Sequence, residues 1–225
     1  MPGPEEVEVL LLSVRVACGC VLVSLLPGLA LGWVLARCRF PGRLVLDGLC
    51  HLPLVLPPVV TGYALLLLFG RRAPVGRFLA EYLGLTLAFD WKGAVLASAV
   101  VGFPLFLRSV RLGIEAVDPR LEQVARTLGA SRLRAFLTVT LRLATPGVLA
   151  GVVLTFARSL GEFGATITFV ANIPGQTRTL PAAIYTCLNQ PGGEAAAGRL
   201  ALLSVLLSLT ALVGSEWLAR RTRQR

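Results

Sequence analysis

Long uncharged runs separated by short basic stretches set the pattern of the chain. Run 16–36 carries no charge over 21 residues and run 48–70 none over 23. A helix rising 1.5 Å per residue needs about 20 residues to cross a hydrocarbon layer of roughly 30 Å, so both predict membrane spans. Three further segments follow the same pattern less cleanly. Run 93–107 is bounded by Lys92 and Arg108, with Trp91 placed as an interfacial anchor. Run 143–173 is long and apolar but holds Arg158 and Glu162. Run 200–215 reaches Trp217 if Glu216 sits at the interface. The pattern therefore predicts an all-α integral membrane protein with five spans. The stretch 73–89 can dip into the interface, which leaves a six-element count as the alternative.

Composition supports this class. Of 225 residues 55% are hydrophobic and only 15% charged, well under the share that clothes a soluble domain. A soluble enzyme and a disordered chain are both excluded on that ground. The net charge of +10 belongs to basic loops facing an anionic membrane surface, not to nucleic-acid binding. With the N-terminus outside, the inside segments hold fourteen basic residues and the outside segments seven. The excess of positive charge predicts N-out and C-in, although Arg71, Arg72 and Arg77 cluster on the outer side. The acidic start MPGPEEVEV is unlike a cleavable leader. The five cysteines fall mostly in apolar runs and His51 is the only histidine, so neither a disulfide framework nor a metal site is expected.

Three features carry candidate chemistry. Arg158 and Glu162 lie four apart, which on one continuous helix places them on one face. Each alone at mid-bilayer costs about 2.5–3.5 kcal/mol or more, so they are expected to pair, either as a structural bridge or as a polar patch on a translocation path. Pro53, Pro57 and Pro58 share one run. Each removes an N–H and disturbs the carbonyl four residues back, so this span is expected to be kinked or broken. Such breaks either shape packing or line transport paths. Gly28 and Gly32, and Gly147 and Gly151, have the spacing of close helix contacts.

The third feature is the basic stretch 108–142. Asp118 followed by Pro119 is a strong helix start. Glu122 suits the positive end of that helix, and Gly129 can end it in the left-handed region. Ser131 can cap a second short helix with Leu133, Phe136, Leu137 and Val139 on one side. Two short amphipathic helices joined at Gly129 are thus expected, as a docking surface or as a segment lying on lipid headgroups.

This stretch resembles the coupling motif of permease subunits of ATP-binding-cassette importers. The motif reads Glu-Ala-Ala, three residues, Gly, nine residues, Ile, one residue, Leu-Pro. The corresponding positions are Gln123, Val124, Ala125, Gly129, Val139, Leu141 and Arg142, with spacing intact and several substitutions. The strings HLPLVLPPVV at 51–60, LEQVARTLGA at 121–130, ARSLGEFGATITF at 157–169, NIPGQTRTLP at 172–181 and SEWLA at 215–219 are similar to those of molybdate permeases. Sulfate permeases share parts of them, above all Gly-Glu-Phe-Gly.

The resemblance covers roughly 9–219 and implies a single permease domain over 1–225, in the bacterial inner membrane. It implies a permease homodimer, a pair of cytoplasmic ATPase subunits and a periplasmic molybdate-binding protein. The ATPase contact would fall on Glu122, Gln123, Val124, Ala125, Gly129 and Ser131. The chain itself would be no enzyme and need no cofactor, and it has no GxxxxGK[ST] phosphate loop. A path for a dianion should release it readily, so hydroxyl lining from Thr61, Thr166 and Thr168 with few fixed charges is expected. Molybdate, tungstate and sulfate are all tetrahedral dianions, so sulfate/thiosulfate and tungstate stand as alternative cargoes. An intramembrane enzyme is the competing class, disfavoured by the lack of a nucleophile–base or metal pair at membrane depth.

Overall fold

The computed structural model describes residues 3–223, with side chains described as far as 214. The expected anchor at Glu216 and Trp217 and the basic tail therefore lie outside the described side chains. Four described helices are long and apolar enough to cross a membrane: α1 (Pro4–Arg37), α5 (Trp91–Glu115), the helical stretch Arg132–Leu160, and α11 (Glu194–Arg223), whose qualifying part is Glu194–Gly214. A fifth crossing exists only if α2 (Arg43–Val55) and α3 (Pro58–Phe69) are joined, and these are bent by 113°. The expected five spans thus stand as four continuous helical stretches and one sharply broken pair.

α5 is the central post. Asp90 starts it by accepting a hydrogen bond from the Lys92 N–H at 2.9 Å. Its small residues, among them Ala94, Ala97, Ser98, Gly102 and Gly113, let α1 and α8 (Leu141–Leu160) approach closely. Both glycine pairs serve this packing. A Cβ on Gly32 would lie 2.7 Å from Val110 Cγ1, and one on Gly28 would overlap the Phe106 ring. From the other side, a Cβ on Gly147 would lie 2.7 Å from Gly113 Cα. Phe106, fully buried between these partners, fills the space they leave. α1 and α5 are also pinned at both ends. The Arg15 guanidinium stacks 3.7 Å over the Trp91 ring, and Arg37 donates to the Val117 carbonyl at 2.7 Å.

Several expectations need correction. The run 143–173 is not one helix. α8 stops at Leu160, residues 161–163 break, and α9 (Gly164–Val170) begins a separate helix of about two turns. Gly161 and Gly164 weaken helix continuation. The Glu162 carboxylate accepts the Ala165 N–H at 2.9 Å, starting α9 afresh. Arg158 and Glu162 are therefore not on one helix face, although they do pair. Nor do all three prolines break the second run. Pro53 rides inside α2, while Pro57 is the N-cap and Pro58 the first residue of α3, where a missing N–H does no harm.

The expected second coupling helix is not separate either. α6 (Pro119–Thr127) is a discrete helix. α7 (Arg132–Ala135), however, continues through a π-helical turn, Phe136–Thr140, into α8. The expected interfacial stretch contains α4 (Pro74–Leu83), whose Phe78 and Tyr82 rings are exposed and 4.9 Å apart. α10 (Leu180–Leu188) packs on α11 and, through the buried Ser13 hydroxyl accepting the Leu180 N–H at 2.8 Å, on α1.

Candidate translocation path and coupling surface

The two helix breaks meet. α3 lies along α9, with Gly62 so close that a Cβ there would be 2.5 Å from the Ala165 carbonyl oxygen and 2.9 Å from Thr168 Cβ. At the starts of both helices, a Cβ on Gly164 would lie 2.8 Å from Pro58 Cβ. Residues drawn from two distant runs thus share one contact: Pro58 and Gly62 on α3, with Gly164, Ala165 and Thr168 on α9; Thr61 and Thr166 lie on the same two helices, both buried.

The charged pair sits beside this junction. Arg158 Nη1 is 2.8 Å from Glu162 Oε2, with the Glu162 side chain buried and that of Arg158 32% exposed. The local fields favour both charges. Arg158 lies in the last turn of α8, at its negative end, and Glu162 lies at the positive start of α9. The pair therefore leaves little net charge, and its one accessible member is the cation. The hydroxyls are less free than their type implies. Thr166 donates to the Phe163 carbonyl at 2.9 Å, and Thr168 to that of Gly164 at 2.8 Å. The buried Thr61 hydroxyl has no hydrogen-bond partner among the described residues.

The far end of the molecule carries the second surface. Asp118 Oδ1 accepts the Arg120 N–H at 2.9 Å and starts α6, and Gly129 follows it at φ +90. The left-handed turn lets the Ala130 N–H reach back to the Ala125 carbonyl at 3.1 Å. Ser131 Oγ accepts the Arg134 N–H at 3.2 Å and starts α7. No residue of α6 is buried. Gln123, Val124 and Leu128 are exposed and Ala125 half-buried, so an amphipathic helix with an apolar edge stands uncovered.

Glu122 differs from its neighbours. Its carboxylate turns inward, 3.4 Å from Arg37 Nε, and accepts a hydrogen bond from the fully buried Thr140. Arg37 and Thr140 escaped the sequence reading because they are remote in sequence and lie in segments read as loop or span. A second network also went unseen. Arg111 bridges Asp47 and Glu115, each at 2.8 Å, and so ties α2 to α5.

These features are those of a multi-pass membrane protein, and its sequence relatives make it an inner membrane permease subunit, a transport component and not itself an enzyme. Residues 28–224 match the family described as "Binding-protein-dependent transport system inner membrane component", and the chain belongs to it. The "Molybdenum transport system permease protein ModB" of Escherichia coli K12 is 56% identical over 98% of this chain and 96% of that protein. The ModB of Haemophilus influenzae Rd is 52% identical over the same shares. The "Sulfate transport system permease protein CysT" of Salmonella typhimurium LT2 is 39% identical over 83% of this chain and 66% of its own length. Among solved structures, the MetNI methionine ABC transporter in its inward-facing conformations matches with a TM-score of 0.74 at 15% identity. That match covers 99% of each chain and shows the shared importer permease fold.

Proposed function

We propose that this chain forms, as a homodimer, the path by which molybdate crosses the bacterial inner membrane. In this reading a periplasmic molybdate-binding protein delivers the anion and two cytoplasmic ATPase subunits drive the cycle. The likeness to molybdenum permeases at 56% identity over nearly the full chain carries the choice of cargo. The geometry supports how the path works. The second copy covers the apolar face left open by α2 and α3, where Leu44, Val45, Leu49, Val55 and Val59 are all exposed. The α3–α9 junction then lies near the dimer axis. Arg158, charge-balanced by Glu162, offers a dianion attraction without a deep trap. Selection rests with the binding protein, because a tight site in the path would slow release.

Orientation is N-out and C-in, with the bent α2/α3 pair counted as the second of five spans. α6 is then cytoplasmic and docks in a cleft of the ATPase through Gln123, Val124 and Ala125. When the ATPase dimer closes, α6 moves. Because Glu122 is tied to Arg37 and Thr140, the motion passes into α1 and α8 together and shifts the break at 161–163, where α8 ends.

The test is uptake of labelled molybdate in cells lacking their own permease and supplied with this chain and its ATPase and binding protein. Uptake that resists excess sulfate supports the reading. Uptake of sulfate in place of molybdate would favour the sulfate alternative, which the 39% identity to a sulfate permease keeps in view.

A further inference from the structure

We infer that an anionic phospholipid binds in the groove between the last third of α1 and the start of the α7–α8 helix, with its phosphate on Arg132. The groove has a volume of about 480 Å³. Leu26 and Trp33 form one wall; Leu133, Phe136 and Leu137 form the other. From Trp33 to Leu26 it runs about 10 Å along the helix axis, at 1.5 Å per residue, the scale of an acyl-chain segment. Leu26, Leu133 and Leu137 are 77%, 67% and 50% exposed, so nothing among the described residues covers it.

The charge pattern selects the occupant. Arg132 is the only charged side chain lining the groove, and it is exposed. It has no ion-pair partner among the described residues, nor has Arg134 two residues on, but Arg132 alone of these lines the groove, and Arg37 at the end of the α1 wall is engaged by Glu122. A lone arginine above an apolar slot at the basic end of a membrane helix matches a phosphate headgroup with a chain beneath it. Under the N-out orientation proposed above this is the cytoplasmic leaflet; the binding itself does not depend on which anion is transported. The lipid would pack against the segment that joins α6 to α8 and stiffen it.

The permease–ATPase complex, reconstituted in nanodiscs of equal phosphatidylglycerol and phosphatidylcholine, is released and read by native mass spectrometry for retained lipid. Phosphatidylglycerol should be retained about fivefold over phosphatidylcholine, the scale of one basic residue near an anionic surface. Arg132→Gln should erase the preference and Arg132→Lys keep most of it. Leu137→Trp, which fills the groove, should lower retention of both lipids. No preference in the parent protein overturns the proposal, as does a preference that survives both Arg132→Gln and Leu137→Trp. Efficient Leu137→Cys disulfide cross-linking between two permease copies in native membranes also overturns it, because a second copy would then cover the groove. Each readout is independent of molybdate uptake, so failure here leaves the transport reading standing.

Discussion

Arg37, the last residue of α1, holds Glu122 of α6 in an ion pair of 3.4 Å, and Thr140 of the π-turn donates to the same carboxylate. One side chain of α6 is thereby joined to two membrane helices. The side chains are 14% and 21% exposed, so the pair is partly desolvated and breaking one partner leaves a poorly solvated charge. Glu122→Gln and Arg37→Gln should each lower thermal stability of the purified complex. The double variant should be less harmed than the sum of the two, with an interaction of about 1–2 kcal/mol. Uptake should fall in each single variant while the ATPase still co-purifies. Strict additivity of the two stability losses would show that the pair does not connect these helices.

Why Glu122 turns inward was not legible in the sequence, where it reads as one more acidic residue in a first helical turn. Helix ends were legible: Asp118 and Pro119 and Ser131 at starts, and Gly129 at a stop, all take the positions that their local chemistry dictates, because capping depends on residues within one turn. Breaks were half legible. Pro57 and Pro58 announce one plainly, but Gly161 is one of four glycines in an apolar run, and the carboxylate that restarts α9 is seen only once its partner N–H is placed. The meeting of α3 with α9 could not be read at all. It depends on two segments distant in sequence and on Gly62, whose missing side chain is a signal only beside Ala165.

That contact gives a sharp test. The nearest atoms to a Cβ on Gly62 are backbone: the Ala165 oxygen at 2.5 Å and its Cα at 2.9 Å. They cannot swing aside as a flexible side chain would. Gly62→Ala should cost about 1–3 kcal/mol through overpacking and reduce uptake strongly. Gly48→Ala, where a Cβ meets nothing within 4 Å, should be silent by the same uptake and melting assays. Equal behaviour of the two variants would mean that α3 and α9 are not in contact during transport.

The Arg158–Glu162 pair makes a further prediction. Glu162 serves twice, holding Arg158 at 2.8 Å and accepting the Ala165 N–H at 2.9 Å. Glu162→Gln keeps an oxygen for Ala165 but leaves Arg158 uncompensated beside the proposed path. A dianion should then bind more tightly and leave more slowly, so maximal uptake should drop while half-saturation shifts to lower loaded binding protein. The exposed Glu81→Gln should do neither. Joint neutralisation of Arg158 and Glu162 should restore part of the rate; no recovery would argue that the two residues act separately.

Orientation is open to a direct measurement. Cysteine placed at position 3 should react with a membrane-impermeant maleimide added to intact spheroplasts, and cysteine at position 223 only after the membrane is opened. The background for this test replaces the five native cysteines with alanine or serine. Labelling of both positions from one side would require an even number of crossings and would undo the reading of α2 and α3 as a single broken span.

The proposed coupling surface is tested at Ala125 and Gly129. Gly129 stands at φ +90, a region that costs an L-residue roughly 1–2 kcal/mol, and the turn there lets the Ala130 N–H reach the Ala125 carbonyl at 3.1 Å. Gly129→Asp should therefore swing α6 relative to α7 without reaching the membrane core, since a Cβ at this position meets nothing within 4 Å. Ala125 is half-buried on a helix whose Gln123 and Val124 are exposed. Ala125→Trp should hold α6 out of a cleft that admits a small side chain. Both variants should insert and dimerise normally, yet ATP hydrolysis should stop responding to loaded binding protein and uptake should fall to background. If α6 instead lies on lipid headgroups, the ATPase will co-purify with both variants as it does with the parent chain, and only the membrane association of the loop will change. Parental ATPase retention together with parental uptake in both variants would remove α6 from the drive mechanism. The force from ATP would then have to enter through the ends of α1 and α5.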